Sequence, residues 1–101
     1  MCNYNHVMQI DWAEQKNRQN RVKHGVSFET AQHVFDDPHH LSIQDRYEDG
    51  EERWQTIGMI GGVVVLLVAH THYEADGDEV IRIISARKAT SFERRNYEDQ
   101  R

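Results

Sequence analysis

The sequence predicts one α+β domain in which helices pack on an antiparallel sheet. Three observations favour this fold class. A chain of 101 residues is long enough for a single modest core. Its composition, 38% apolar and 29% charged, is typical of a globular rather than a disordered protein. Helix-like segments lie towards both ends, whereas short alternating runs separated by turn residues fill the rest, which gives the order β-α-α-β-β-β-β-α.

The first predicted elements are a short strand and a polar helix. Residues 7–11 alternate weakly between apolar and polar, as a strand does. Asp11 is the expected N-cap of the helix, with Glu14 three residues later completing a capping box. The helix is predicted to run to about His24. It ends at Gly25, because glycine adopts the left-handed C′ conformation at little cost.

A second, shorter helix is predicted to cover the core. The first helix has few apolar anchors, chiefly Trp12 and Val22, so it is expected to lie on the surface. Ser27 can cap the second helix, and the apolar spacing within residues 28–35 suits a buried face. Residues 36–38 end this helix, since the residue before a proline avoids helical backbone angles.

Four strands and a final helix follow. The strands are predicted to begin at Leu41 and to continue at about residues 53–60, 63–72 and 80–87. Tight turns at Asp49-Gly50 and Gly61-Gly62 separate the first three. Short connections favour an antiparallel meander with the helices on one face. Thr90 is the expected N-cap of the last helix, over residues 90–97, and Glu93 completes a capping box.

Charge is distributed unevenly along the chain. The net charge of −5 argues against indiscriminate binding to nucleic acid. Residues 12–24 and 82–101 are nevertheless basic, whereas residues 27–52 carry eight carboxylates and one arginine. This pattern indicates one surface for an anion and another for a basic partner, unless both are simply solvated.

The N terminus and the single cysteine bear on location. The first residues lack the basic start and the apolar run of a signal peptide, and no apolar stretch is long enough to span a bilayer. Cys2 stands alone, so no disulfide framework is expected. These features favour the reducing cytoplasm and predict no membrane association.

Arg82 stands among apolar neighbours in the middle of the last predicted strand. Strict alternation places it on the sheet face opposite to Arg87. Since an unpaired buried guanidinium is costly, three interpretations are open. Arg82 can pair with a carboxylate on a neighbouring strand, such as Glu52, or can extend its head to solvent. Alternatively it binds a phosphate, with help from Arg87 or Lys88, because the planar fork donates two hydrogen bonds to one phosphate.

Lys23 and His24 also allow two interpretations. Cations in the last turn of a helix complement its dipole, which contributes roughly 0.3–1 kcal/mol per group. Histidine can also donate and accept a proton near neutral pH, as RNA cleavage by an attacking 2′-hydroxyl requires.

His70 and His72 raise the separate hypothesis of a metal site, because they share a strand face. No third ligand follows them at a recognised spacing, so neither a metal nor a cofactor is expected.

Three segments, "IDWAEQKNRQNRVKHGVSFETAQHVFDDP", "EDGEERWQTIG" and "RIISARKATSFERRNYE", together resemble the BrnT toxin family of bacterial type II toxin–antitoxin systems. The resemblance spans about Ile10 to Glu98. It implies a RelE-like fold and a ribonuclease that shuts down translation. The family's active-site positions fall on Lys23, His24, Glu52, Arg53, Arg82 and Arg87. Residues 1–7 extend beyond the usual family start and are expected to be disordered, and Ala13 replaces an acidic residue often found there.

The resemblance also implies partners, and the basic residues of the first helix and the last strand suggest a mechanism. The substrate is expected to be RNA, cleaved without a metal ion through attack of the 2′-hydroxyl. The expected partner is a BrnA-like ribbon-helix-helix antitoxin, in a 2:2 heterotetramer that binds promoter DNA only through the antitoxin. The competing hypothesis is a non-catalytic subunit of a transcriptional co-repressor. Two basic segments around an acidic middle are compatible with either function.

Overall fold

The computed structural model describes residues 8–101. The strands are β1 (Met8–Asp11), β2 (Leu41–Glu48), β3 (Glu51–Ile60), β4 (Val64–Ala75) and β5 (Asp78–Lys88). The helices are α1 (Glu14–His24), α2 (Phe28–Ala31) and α3 (Ser91–Asp99), with a 3-10 helix at Gln32–Asp36. No helix within residues 8–101 is long and apolar enough to cross a membrane. The segment predicted to be disordered, residues 1–7, lies outside the described part.

The five strands form one mixed sheet in the order β1-β5-β4-β3-β2. The predicted antiparallel meander of β2 to β5 is confirmed. Strand β1, however, pairs in parallel with β5, with Asp11 opposite Arg82. The expectation of a wholly antiparallel sheet was therefore wrong at this edge. Helices α1 and α2, the 3-10 helix and three strands separate β1 from β5, and this long connection lets the two strands run in the same direction.

Turns of two or three residues make the meander compact. The predicted turns are confirmed, since Asp49 and Gly50 have φ of 54° and 78°, and the Gly61-Gly62 pair is also left-handed. This conformation matches the twist of adjoining strands. The polar stretch between β4 and β5 was predicted to be a loop of seven residues. It is a third tight turn at Asp76-Gly77, so both strands are longer than predicted.

The main core lies between the sheet and the segment from α1 to the 3-10 helix. We call this side the α2 face; it carries Leu66 and Val68 of β4. The predicted second helix is divided into α2 and the 3-10 helix, and its capping by Ser27 is confirmed by a hydrogen bond from the Thr30 N–H. The 3-10 helix packs closely on β3, because a Cβ at Gly58 would lie 2.9 Å from the Val34 carbonyl oxygen.

The opposite side, which we call the α3 face, carries a second core. Tyr97 of α3 is buried there with Ile57 and Val65. The helices therefore cover both faces, and the prediction that they share one face was wrong. The reason is that β4 is apolar on both sides, since Val65 and Leu67 alternate with Leu66 and Val68. The predicted capping box of Thr90 and Glu93 at the start of α3 is confirmed.

A half-buried carboxylate, that of Asp37, joins the two sides. The Asp37 side chain accepts hydrogen bonds from the Tyr97 hydroxyl and from the N–H groups of Met59 (2.8 Å) and His39 (2.9 Å). Burial alone would raise the pKa of Asp37, but these hydrogen bonds more than offset it, and the pKa is lowered. Asp37 thus links the end of the 3-10 helix, β3 and α3.

Candidate active site

Helix α1 begins differently from the prediction. Asp11 belongs to β1, and the N-cap is Ala13, which provides no side-chain hydrogen bond. Val22, predicted as an apolar anchor, is 90% exposed. Two asparagines take the anchoring role instead, because Asn17 and Asn20 are buried. The predicted end of the helix is confirmed, since Gly25 has φ of 72° and its N–H bonds to the Arg21 carbonyl.

Asn17 connects α1 to the start of α2. Its Oδ1 accepts a hydrogen bond from the Phe28 N–H at 2.9 Å, and its Nδ2 donates to Glu29 at 2.9 Å. The hydrogen bond from Asn17 is the main reason why the pKa of Glu29 is lowered. The loop that follows Lys23 and His24 is thereby held at a fixed angle to the helix.

Asn20 connects α1 to the edge of β5. Its side chain donates to the carbonyl oxygens of Ala86 (2.8 Å) and Val26 (2.9 Å) and accepts from the Ala86 N–H at 3.1 Å. Strand β1 stops opposite Arg82, so the amide of Asn20 satisfies backbone groups of β5 beyond that point, as a neighbouring strand would. The spacing of the two asparagines by three residues in a charged helix was the available sequence signal, and it was missed.

These anchors bring the end of α1 against β5, where the two elements enclose a shallow cavity of about 170 Å³. Lys16, Gln19, Asn20, Lys23, His24, Ile84 and Ser85 line it. The Lys23 side chain is exposed and His24 is half-buried. None of the lining residues is acidic. The basic residues of α1 therefore meet β5 at Ile84 and Ser85, whereas Arg82 and Arg87 of that strand do not line the cavity.

A β-bulge changes which side chains of β5 share a face. In the pairing with β4, Ser85 lies opposite Ala69 and Ile83 lies opposite His70, which leaves Ile84 as the extra residue. Beyond the bulge the alternation is shifted by one. Arg82, Ser85 and Arg87 consequently all lie on the α3 face, so the prediction of opposite faces for the two arginines was wrong.

Arg82 is half-exposed rather than buried, with 46% of its side chain accessible. Its Nη1 lies 3.2 Å from Asp11 Oδ1 on the parallel strand. The predicted ion pair with a neighbouring strand therefore exists, but its acid is Asp11 and not Glu52. The sequence pattern does not indicate the parallel pairing of β1 with β5, so it gives no sign of Asp11 as the partner.

Arg53 and Glu52 are adjacent on β3 and point to opposite faces. Arg53 shares the α3 face with Arg82, and Thr71 lies between them in register. The Arg53 guanidinium is 3.6 Å from Glu48 and 3.7 Å from Glu51. Glu52 accepts a long hydrogen bond, 3.4 Å, from Gln44. The six predicted site residues thus do not form one cluster, because Glu52 is on the other side of the sheet from the arginines.

Arg87 forms a two-pronged ion pair with Glu93 in the first turn of α3. Both N···O distances are 2.9 Å. The hydrogen bonds from Arg87 are the largest cause that lowers the pKa of Glu93, to about 2. Since Glu93 also completes the capping box, this pair helps to hold α3 on the sheet.

The paired histidines of β4 do share a face, as predicted, but both have partners. His70 is buried, its Nδ1 lies 3.1 Å from the Thr71 carbonyl oxygen and its Nε2 lies 2.7 Å from the Thr56 hydroxyl. A carbonyl only accepts, so Nδ1 carries the proton and Nε2 accepts. Burial lowers the pKa of His70 to about 4, which keeps the ring neutral. In residues 8–101 no three His, Cys, Asp or Glu side chains are grouped to hold a metal.

Comparisons with known proteins identify the family and the fold of the chain. Residues 12–93 match the family described as "Ribonuclease toxin, BrnT, of type II toxin-antitoxin system". The crystal structure of the Brucella abortus ribonuclease toxin BrnT is similar in fold, with a TM-score of 0.64 and 22% identity over 84% of this chain and 100% of that chain. No curated protein matches the sequence. Because the family match spans most of its length, the chain belongs to the BrnT family of ribonuclease toxins of type II toxin–antitoxin systems.

Proposed function

We propose that the chain is an endoribonuclease that needs no metal ion. The 2′-hydroxyl of a nucleotide attacks the adjacent phosphorus and gives its proton to a base. The bond to the 5′-oxygen breaks on the opposite side, and that oxygen receives a proton from an acid. The products are a 2′,3′-cyclic phosphate and a 5′-hydroxyl end. A half-buried histidine beside lysines can supply such proton transfers near neutral pH.

The cavity between α1 and β5 is the observation that carries this proposal. It joins Lys23 and His24 to Ser85 without any carboxylate that would neutralise the lysine. In this scheme His24 is the general acid or base. Lys23 holds the phosphodiester and stabilises the charge that develops on it. Asn20 keeps both residues in position, since it fixes α1 to the backbone of β5.

The other predicted site residues lie outside the cavity, and their positions on the sheet decide what they could do. Arg82 and Arg87 flank Ser85 on the α3 face and would stabilise the negative charge on the phosphoryl oxygens. Arg53 would bind the RNA backbone further along this face. Glu52 lies on the opposite face of the sheet, and β3 is two strands away from β5. Its carboxylate is therefore out of reach of a phosphate at His24, and we assign it no proton transfer there.

We further propose the cellular context that the family implies. RNA cleavage would inhibit translation in the cytoplasm, and a BrnA-like ribbon-helix-helix antitoxin would neutralise the toxin in a 2:2 complex that reaches promoter DNA through the antitoxin. The exposed acidic hairpin supports a basic partner segment; its carboxylates are Asp45, Glu48, Asp49, Glu51 and Glu52. Binding of the antitoxin should therefore weaken as salt concentration rises.

The decisive experiment is RNA cleavage by purified protein in EDTA. We expect wild-type protein to cleave and to leave cyclic phosphate ends, with His24→Ala slower by about 10²-fold or more. Arg82→Ala should lose a comparable factor, on the order of 10². Arg18→Ala and Arg95→Ala are matched controls, because both are exposed cations without an ion pair in residues 8–101. Equal rates for all four variants would contradict the assignment, and loss of wild-type activity in EDTA would contradict the metal-free mechanism.

A growth assay separates this function from the competing co-repressor hypothesis. The nuclease should arrest growth when expressed alone, and co-expression of the antitoxin should restore growth. His24→Ala should not arrest growth, whereas Arg18→Ala should. A co-repressor subunit would leave growth unchanged in every case.

A further inference from the structure

We propose that Lys16 and Ser85 form a binding subsite for a backbone phosphate of the RNA next to the cleaved one, which Lys23 holds. This inference rests on the proposed function, since it assigns a substrate contact to the same site. Neither Lys16 nor Ser85 was among the predicted site residues. Both line the cavity that also contains Lys23 and His24.

The spacing of Lys16 and Lys23 supports contacts with successive phosphates along an RNA strand rather than with a single phosphate. Lys16 and Lys23 are seven residues apart, which corresponds to two turns and about 10 Å along a helix axis. Both lie on the side of α1 that Asn20 fixes to β5. An extended RNA strand that follows this groove would thus meet two cations in succession.

The charges of the cavity fit an anion. Its lining includes two lysines and a histidine but no acidic residue. Within residues 8–101 neither Lys16 nor Lys23 forms an ion pair, so both ammonium groups are available. Arg53, Arg82 and Arg87, by contrast, each face a carboxylate within 4 Å. A phosphate can therefore bind at the lysines without displacing an acid.

The β-bulge supplies a neutral donor to the same place. Because Ile84 is the extra residue, β5 brings Ser85 to the cavity. At this point the edge of β5 is open, since β1 has ended and the hydrogen bond from the Ala86 N–H to Asn20 comes only after it. The Ser85 hydroxyl makes no hydrogen bond to other groups of the described chain, and it is half-buried. A hydroxyl donor between ammonium groups suits a phosphate oxygen. Bulges often re-aim side chains in this way beside functional sites.

The test measures binding separately from cleavage. Fluorescence anisotropy with a fully 2′-O-methylated RNA oligonucleotide reports affinity, because the attacking hydroxyl is blocked. We expect Lys16→Ala to weaken Kd about fivefold and to lower the slope of log Kd against log salt by about 0.7, as loss of one single-strand phosphate contact does. Ser85→Ala should weaken Kd about twofold to threefold. Arg18→Ala, an exposed cation on the same helix, should retain the wild-type affinity and slope.

The outcomes are distinguishable from those of the proposed function. Wild-type affinity and salt slope for Lys16→Ala would overturn the subsite, even if wild-type protein cleaves RNA. Conversely, if wild-type protein binds the oligonucleotide but does not cleave unmodified RNA, the proposed reaction fails and the subsite is judged by the variants alone. If Lys16→Ala weakened the binding of duplex DNA but not of the RNA oligonucleotide, the assignment to RNA would also be overturned. Because Lys16 is exposed, its variant is expected to fold, and circular dichroism checks this.

Discussion

The lysines of the α1–β5 cavity and the arginines of the α3 face differ in whether a carboxylate lies beside them. Lys16 and Lys23 have no acidic partner in the described chain and line a cavity without carboxylates. Arg82 and Arg87 contact Asp11 and Glu93 at 3.2 and 2.9 Å. The first set is free to bind an anion, whereas an anion that binds the second must compete with acids already present.

This difference predicts which substitutions change RNA binding alone and which also change the stability of the fold. An exposed lysine has little structural function, so its substitution should change activity and leave stability almost unchanged. A guanidinium that binds a carboxylate through two hydrogen bonds also contributes to the fold, and its substitution should change both. Three predictions of stability, ordered by the size of the effect, follow from this contrast.

The largest effect is expected at Asn20, on which the position of the whole cavity depends. Asn20→Ala leaves the Ala86 N–H and the carbonyl oxygens of Ala86 and Val26 without their partner. Each buried group left unsatisfied costs about 1–3 kcal/mol, so we expect a loss of about 4 kcal/mol in the free energy of unfolding. Urea denaturation measures it. Gln15→Ala, an exposed position of the same helix, is the control and should change stability by less than about 0.5 kcal/mol. A variant as stable as the control would show that α1 is held by other contacts.

The next effect is the pH dependence that His70 brings to the sheet. The folded state holds the ring neutral, with a pKa of about 4 instead of 6.5. Protons therefore bind preferentially to the unfolded chain below pH 6.5. The stabilisation is complete above pH 6.5 and is lost as the pH falls towards 4, by roughly 3 kcal/mol. Thermal unfolding from pH 7 to 4 should show this slope, and His70→Gln should flatten it even if the variant is less stable. An unchanged slope in the variant would assign it to other groups.

The smallest effect concerns Arg87 and Glu93. Their side chains remain 37% and 28% exposed, so solvent reduces the interaction, and a double-mutant cycle of the alanine variants should give a coupling of about 1 kcal/mol. Because the pKa of Glu93 is lowered to about 2, the coupling should persist at neutral pH and disappear as the pH falls from 4.5 through 2. Zero coupling at pH 7 would show that Glu93 does not hold Arg87, which would contradict the contrast with the unpaired lysines of α1.

Much of the fold could be predicted because local sequence rules dominate its turns and caps. Gly25, Ser27, Asp49-Gly50 and Thr90 behave as their residue types indicate. The parallel pairing of β1 and the bulge at Ile84 could not be predicted, because both depend on contacts between residues distant in sequence. The spacing of Asn17 and Asn20 hinted at a shared face, but the contact of Asn20 with Ala86, 66 residues away, could not be predicted for the same reason.

For the candidate site, residue types were easier to predict than their arrangement. Lys23 and His24 do meet β5, but they meet it at Ser85. Arg82 has an ion pair, but with Asp11. Glu52 and Arg53 are adjacent in sequence and lie on opposite faces. Residue types and the family resemblance therefore identified candidate side chains, whereas the register of the sheet determined which of them share a surface.

The most direct test of the proposed RNA site is to map where a non-cleavable RNA binds. Amide chemical-shift changes of isotope-labelled protein, titrated with the 2′-O-methylated oligonucleotide, report this residue by residue. We expect the largest changes at Lys16, Lys23, His24 and Ser85, with smaller changes at Arg82 on the adjoining α3 face. Shifts confined to the acidic β2–β3 hairpin, or absent from α1 and residues 84–85, would contradict the proposal that the cavity between α1 and β5 binds the substrate.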